Sequence, residues 1–124
     1  MLLASLAGCA ASQSGRAPDS GAPARPSAGS TARTMSAAGE SLLIAGSEQR
    51  RAGELGQASM TLERALRIEP GQPALWLELA RVRLDEGNFA QAEQLARKAE
   101  ALAPADGPLA GSIEAVIDEA RRHQ

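Results

Sequence analysis

The 124 residues carry 13 basic and 15 acidic side chains, a formal net charge of −2, with one cysteine, one tryptophan, one phenylalanine and no tyrosine. The acidic balance gives no electrostatic footing for nucleic acid, and a lone cysteine cannot form an internal disulfide. The charge is also uneven, with three arginines against Asp19 up to residue 34 and ten basic against fourteen acidic residues after it.

The chain opens with the apolar run MLLASLAGC, residues 1–9, and its only cysteine closes that run. Leu6-Ala7-Gly8-Cys9 resembles the lipobox of bacterial lipoproteins, in which small residues let the processing enzyme cut before a lipidated cysteine. No Lys or Arg precedes the run, and at about seven residues it is short for a signal h-region, which fits a translation start upstream of Met1. If Cys9 is acylated, two or three chains hold the protein on a bilayer, whereas one binds reversibly. Ala10 after the cysteine, in place of an aspartate, resembles lipoproteins sent to the outer membrane. The resemblance thus implies a periplasmic protein anchored at the outer membrane through Cys9. The alternative is a soluble cytoplasmic chain whose cysteine carries no lipid. No segment of about 20 apolar residues is present to span a membrane.

Residues 10–38 follow as a linker, in which Ala, Ser, Gly and Pro supply 21 of 29 residues and Met35 is the one large apolar side chain. Such a stretch buries too little surface to offset its ordering entropy, so it is expected to be disordered. Its typical reach would be about 30 Å, with a maximum near 100 Å.

From residue 39 the chain repeats itself. A shift of 34 residues superposes Pro104 on Pro70, Ala99 on Ala65, Ala92 on Ala58, Gln91 on Gln57, Gly87 on Gly53 and Leu77 on Leu43. Phe89 falls on Leu55, Leu102 on Ile68, Trp76 on Leu42 and Ala80 on Gly46. A period in this range marks stacked two-helix units, here residues 39–70 and 73–104. In the second unit Pro73 suits a first helical turn, and Trp76, Leu79, Ala80 and Leu84 recur at helical spacing. Gly87 ends that helix, because glycine takes a left-handed cap without strain. Phe89, Ala92, Leu95, Ala96, Ala99 and Leu102 form the buried stripe of the next helix, which Pro104 closes. With only Gly87 and Asn88 between them, the two helices must run antiparallel. Gly46 and Ala80, with Ala58, Ala65, Ala92 and Ala99, mark lines of close helix approach.

The pattern W-x2-L-A-x6-G-x-F-x2-A-x6-A-x4-P, from Trp76 through Leu79, Ala80, Gly87, Phe89, Ala92 and Ala99 to Pro104, resembles a tetratricopeptide repeat. Residues 39–70 match it less fully, and both units place a polar residue, Gln49 or Arg83, where the family usually has an aromatic. A helix over residues 106–122 follows, signalled by Gly107-Pro108, with Leu109, Ile113, Val116, Ile117 and Ala120 on one face and charges on the other. It reads as a cap on the last repeat, with the first helix of a truncated third repeat as the alternative. The expected fold is therefore all-α: a short solenoid of two helix hairpins and a carboxy-terminal capping helix. Five helices are expected, with turns at Gly53, Gly71, Gly87 and Asp106.

Chemistry is sparse. His123 is the only histidine and sits in the last turn, Lys98 is the sole lysine, and no Ser or Asp has a base arranged beside it by a recognisable motif. The reading is a non-enzymatic protein with no cofactor and no metal. Glu63 with Arg67 and Glu93 with Arg97 are spaced for surface ion pairs. In tetratricopeptide proteins the first helices of successive repeats line a concave face, which the resemblance maps to Leu43, Ser47, Arg50, Arg51, Leu77, Arg81 and Leu84. Three leucines and three arginines suit a peptide with apolar anchors and acidic groups. The clamp that holds acidic tails of cytosolic chaperones is absent, because Leu43, Ser47 and Glu78 stand at its lysine and asparagine positions. Two functions follow: an adaptor recruiting a cell-envelope protein, or a self-assembling homodimer without a peptide groove. In either case Trp76 is expected to be the main anchor of the solenoid, and Leu77→Ala to cost little stability because Leu77 is aimed at the groove.

Overall fold

A computed structural model describes residues 34–124, which belong to one compact unit. The readings placed on residues 1–33, the lipobox cysteine Cys9 among them, lie outside the described residues. Five helices follow in order: α1 Ala37–Arg51, α2 Leu55–Ile68, α3 Pro73–Asp85, α4 Phe89–Leu102 and α5 Ala110–Arg122. No strand occurs among the described residues.

The helix ends have local causes. The Ser36 hydroxyl accepts from the Gly39 N–H at 3.1 Å and caps α1, and Pro73 opens α3 where its missing N–H costs nothing. Gly53 and Gly87 turn the two hairpins with φ of +79° and +78°, the left-handed conformation expected of them. α1 begins inside the stretch read as linker: Met35 packs against the first core cluster, and the Ser36 N–H donates to Glu69 Oε1 at 2.8 Å. α5 begins at Ala110, after a turn in which the Gly107 N–H donates to the Pro104 carbonyl. A Cβ on Gly107 would lie 3.1 Å from that carbonyl oxygen.

The core has two parts. Ala58, Leu62, Ala65 and Leu66 of α2 meet Leu75, Leu79 and Val82 of α3 in the first. Leu77 and Ala80 of α3, Ala96 and Ala99 of α4, and Ile113, Val116 and Ile117 of α5 form the second. Gly46 shows why small residues recur: a Cβ there would sit 2.7 Å from Leu62 Cγ. Trp76 is half-buried and touches both clusters, its indole N–H donating to the Pro70 carbonyl at 2.7 Å and the Lys98 ammonium lying 4.3 Å from the ring centre. It is a bridge, and the largest fully buried side chains are Leu62, Leu75 and Val82.

The polar residues at the family's aromatic position are absorbed by hydrogen bonds. Gln49 Oε1 accepts from the Thr61 hydroxyl at 2.7 Å, joining α1 to α2. Arg83 reaches back from α3 to the Ser59 hydroxyl at 2.8 Å and to Glu63 at 3.2 Å, and pairs with Glu86 on its own helix. Glu63 is thus held across the helix interface by Arg83, and its recorded partner is not the Arg67 expected from spacing.

α5 packs on α4 and α3 as α3 packs on α2 and α1. The same shift of 34 places buried Ile113 on Leu79 and buried Val116 on Val82. α5 therefore occupies the place of a third repeat's first helix while covering the second cluster. Glu114 falls in the register of Gly46 and Ala80, so a carboxylate stands where the earlier helices leave room for close approach.

Candidate partner-binding face

A groove opens across the first helices, lined by Arg50 of α1, Arg81 and Leu84 of α3, and Ala115, Val116 and Glu119 of α5. Its floor is apolar at Leu84 and Val116, and its walls are charged. Glu78 sits beneath it, 3% exposed. Arg50 Nε donates to its Oε1 at 2.6 Å and Arg81 Nη1 to its Oε2 at 3.0 Å, while Arg50 Nη1 also reaches Asp85 at 3.1 Å. Burial pushes the Glu78 carboxyl up, but the hydrogen bonds and charges of Arg50 and Arg81 outweigh it and hold it below the usual carboxylate range. Burial likewise opposes charge on Arg50, and the hydrogen bonds and charges of Glu78 and Asp85 reverse that, so its guanidinium is held more firmly protonated. The cluster is an internally neutralised strut between α1 and α3.

The seven residues expected to line the face divide accordingly. Arg50, Arg81 and Leu84 do line the groove. Two of those three are arginines already engaged by Glu78, so an acidic partner would have to compete for them. Leu77 is 2% exposed and packs under α5, so it belongs to the core. Leu43 is half-buried against the first cluster, and Ser47 is half-buried on α1. Arg51 is exposed and has no ion pair among the described residues.

Sequence reasoning missed Ile44, 52% exposed on α1, and the α5 wall at Ser112, Ala115 and Val116. The signal was available: Ile44, Glu78 and Ser112 are successive members of one 34-residue register, as are Ser47, Arg81 and Ala115.

The far end of α5 is tied down by polar contacts. Glu93 on α4 accepts from Gln124 at 2.7 Å, Arg97 at 2.9 Å and Arg121 at 3.1 Å, which holds its carboxyl at about 2. The His123 ring stacks on Phe89 with centroids 4.7 Å apart and lies 3.0 Å from Glu119 Oε1. The last turn is therefore docked on α4. Hydrogen bonds from Arg122 and then His123 lower the Glu119 carboxyl. Among the described residues no group of three His, Cys, Asp or Glu side chains could hold a metal, and no helix is long and apolar enough to cross a membrane.

The family model for the tetratricopeptide repeat matches residues 49–117, spanning α2, α3, α4 and most of α5. This chain belongs to the tetratricopeptide repeat family. The solved structure of the globular C-terminal domain of P. aeruginosa LpoP is similar at 35% identity, with a TM-score of 0.69. The match covers 73% of this chain and 86% of that one. No curated protein matches the sequence. In this tetratricopeptide fold the groove across α1, α3 and α5 is the face formed by the first helices of successive repeats.

Proposed function

We propose that this chain is a non-enzymatic adaptor, anchored at the bacterial outer membrane through a lipidated Cys9, that recruits or positions a cell-envelope protein on the concave face of its repeats. The observation that carries the reading is the shallow groove across α1, α3 and α5, with an apolar floor at Leu84 and Val116 and charged walls. Family membership and the likeness to the LpoP domain support a protein-binding role over catalysis. The Glu78 strut fixes α1 against α3 without leaving a strong net charge in the groove, so selectivity falls to shape and apolar contact. Leu84, Ile44 and Ala115 offer the apolar positions, and Ser47 and Arg51 the polar ones. A partner segment with an apolar anchor seated over Leu84 and an acidic group near Arg51 fits this arrangement. The membrane anchor rests on the lipobox resemblance.

A photo-crosslinking residue at position 84 should give a discrete adduct with an envelope protein, and one at exposed Gln91 on α4 should not. Equal labelling from both positions would remove the groove from the proposal. Separately, with a complete signal the wild type should partition into membranes and Cys9→Ser should appear in the periplasm. Identical partitioning would remove the anchor while leaving the groove intact.

A further inference from the structure

The two ends of the solenoid carry opposite charge beside open clefts. Within the chain the second repeat is seated on the first partly through Trp76 and Leu95, which both pack against the first cluster. Thirty-four residues earlier these positions are Leu42 and Thr61. They line an open cleft of α1 and α2 together with Gln57, Met60, Arg64, Arg67 and Glu63, the last of these held by Arg83. Met60 is 66% exposed, and neither Arg64 nor Arg67 has an ion pair among the described residues. Arg64 is also the register mate of Lys98, which lies over Trp76 inside the chain. The amino-terminal end thus repeats the seating surface of the second unit with nothing from the described residues upon it.

At the other end a second cleft lies between the close of α4 and α5, with Ala103, Ala110 and Ile113 on its floor and Glu100, Glu114 and Asp118 on its rim. Arg97 and Arg121 border it, Arg121 turned onto Glu93 and Arg97 shared between Glu93 and Glu100. Glu114 and Asp118 have no ion pair among the described residues. This cleft is the place where the second helix of a third repeat would lie.

We infer that the chain associates head to tail with further copies of itself, the Leu42–Met60–Arg64–Arg67 end of one copy seating on the Glu100–Glu114–Asp118 end of the next. The exposed stripe of α2 is the ridge and the α4–α5 cleft the groove. Arg64 and Arg67 then face Glu114 and Asp118, while Met60 meets the alanine-lined floor. Pairing of like ends would set arginine on arginine or carboxylate on carboxylate, which disfavours a two-fold dimer and selects the heterologous contact. Such a contact yields open rows unless its rotation closes a ring, and tethering to a surface would favour association by raising the local concentration. This goes beyond the adaptor reading and leaves its concave groove free.

Sedimentation of the full chain carrying Cys9→Ser, in low salt, tests it. The weight-average mass should rise with protein concentration and return to the monomer value at about 0.5 M salt, where screening is short-ranged. Arg64→Glu with Arg67→Glu should stay monomeric, and so should Glu114→Lys with Asp118→Lys. An equimolar mixture of these two variants should associate again, because each reversed end finds its complement. That recovery also shows that both variants are folded. The inference is overturned by a wild type that is monomeric at every concentration, by a reversed variant that associates like the wild type, or by a mixture that stays monomeric. Binding of the monomer to vesicles rich in phosphatidylglycerol, lost with Arg64→Glu and Arg67→Glu, would assign the basic end to a lipid surface and overturn it equally.

Discussion

Leu77 and Trp76 are neighbours whose roles differ from those their spacing implies. Leu77 is in the second cluster beneath Ile113, Val116 and Ile117, so truncation leaves a cavity between α3 and α5. Leu77→Ala should cost about 2 to 5 kcal/mol. For a domain of this size that is a fall in Tm of at least about 8 °C. Trp76→Ala removes packing from both clusters and the bond to the Pro70 carbonyl, and should be of similar size. Melts followed by helical circular dichroism compare them, and a Leu77→Ala variant that melts with the wild type would mean that α5 is not seated on α3. The family mapping sends this position to a groove, but it faces one only where no further helix follows, and the capping helix α5 covers it. Leu43, its mate one period earlier, is half-buried for the same reason, since α3 follows α1 as α5 follows α3 and the first cluster lies beside it.

Each hairpin was legible in the sequence, because Gly53, Gly87 and Pro73 permit few alternatives and the small residues mark where helices touch. The ties between elements were not, since they depend on side chains distant in sequence: Arg50 with Glu78, Arg83 with Glu63, and Glu93 with Arg121 and Gln124. The last of these makes the seat of α5 sensitive to acid. The folded carboxyl of Glu93 is depressed to about 2, so whatever it contributes is present above the usual carboxylate range and is lost as pH falls through about 2. The end of α5 should therefore loosen from α4 between about pH 4.5 and pH 2, a span in which the unfolded carboxyl binds a proton and the folded one resists it. The ring-current shift that Phe89 imposes on the His123 ring reports it directly. In Glu93→Ala that shift should already be reduced at neutral pH and should change less on acidification. Glu119 also carries a depressed carboxyl, so a titration indistinguishable from wild type in Glu93→Ala would move the effect to the Glu119–Arg122 pair.

At the scale of the molecule, the two clusters share α3 and are bridged by Trp76, so neither repeat is closed without its neighbour. Stacked units of this kind draw stability from the contacts between them as much as from within. α5 supplies one whole wall of the second cluster through Ile113, Val116 and Ile117, all at most 6% exposed. Burying three such side chains is worth about 5 to 8 kcal/mol in all. A domain of about 90 residues has a total stability of roughly 5 to 13 kcal/mol. Removing residues 107–124 should therefore consume most of that margin and expose Leu77, Ala80, Ala96 and Ala99 together. The shortened chain should lose far more helical signal than the 13 residues of α5 can account for, and its melt should become broad or vanish. Adding the single substitution Gly46→Ala to the intact chain is a useful contrast, since it perturbs only the α1–α2 contact at Leu62 and should lower Tm while keeping one sharp transition. Were the shortened chain to melt cooperatively with four helices intact, α5 would be an appendage, and the stability of the fold would have to lie within the two hairpins alone.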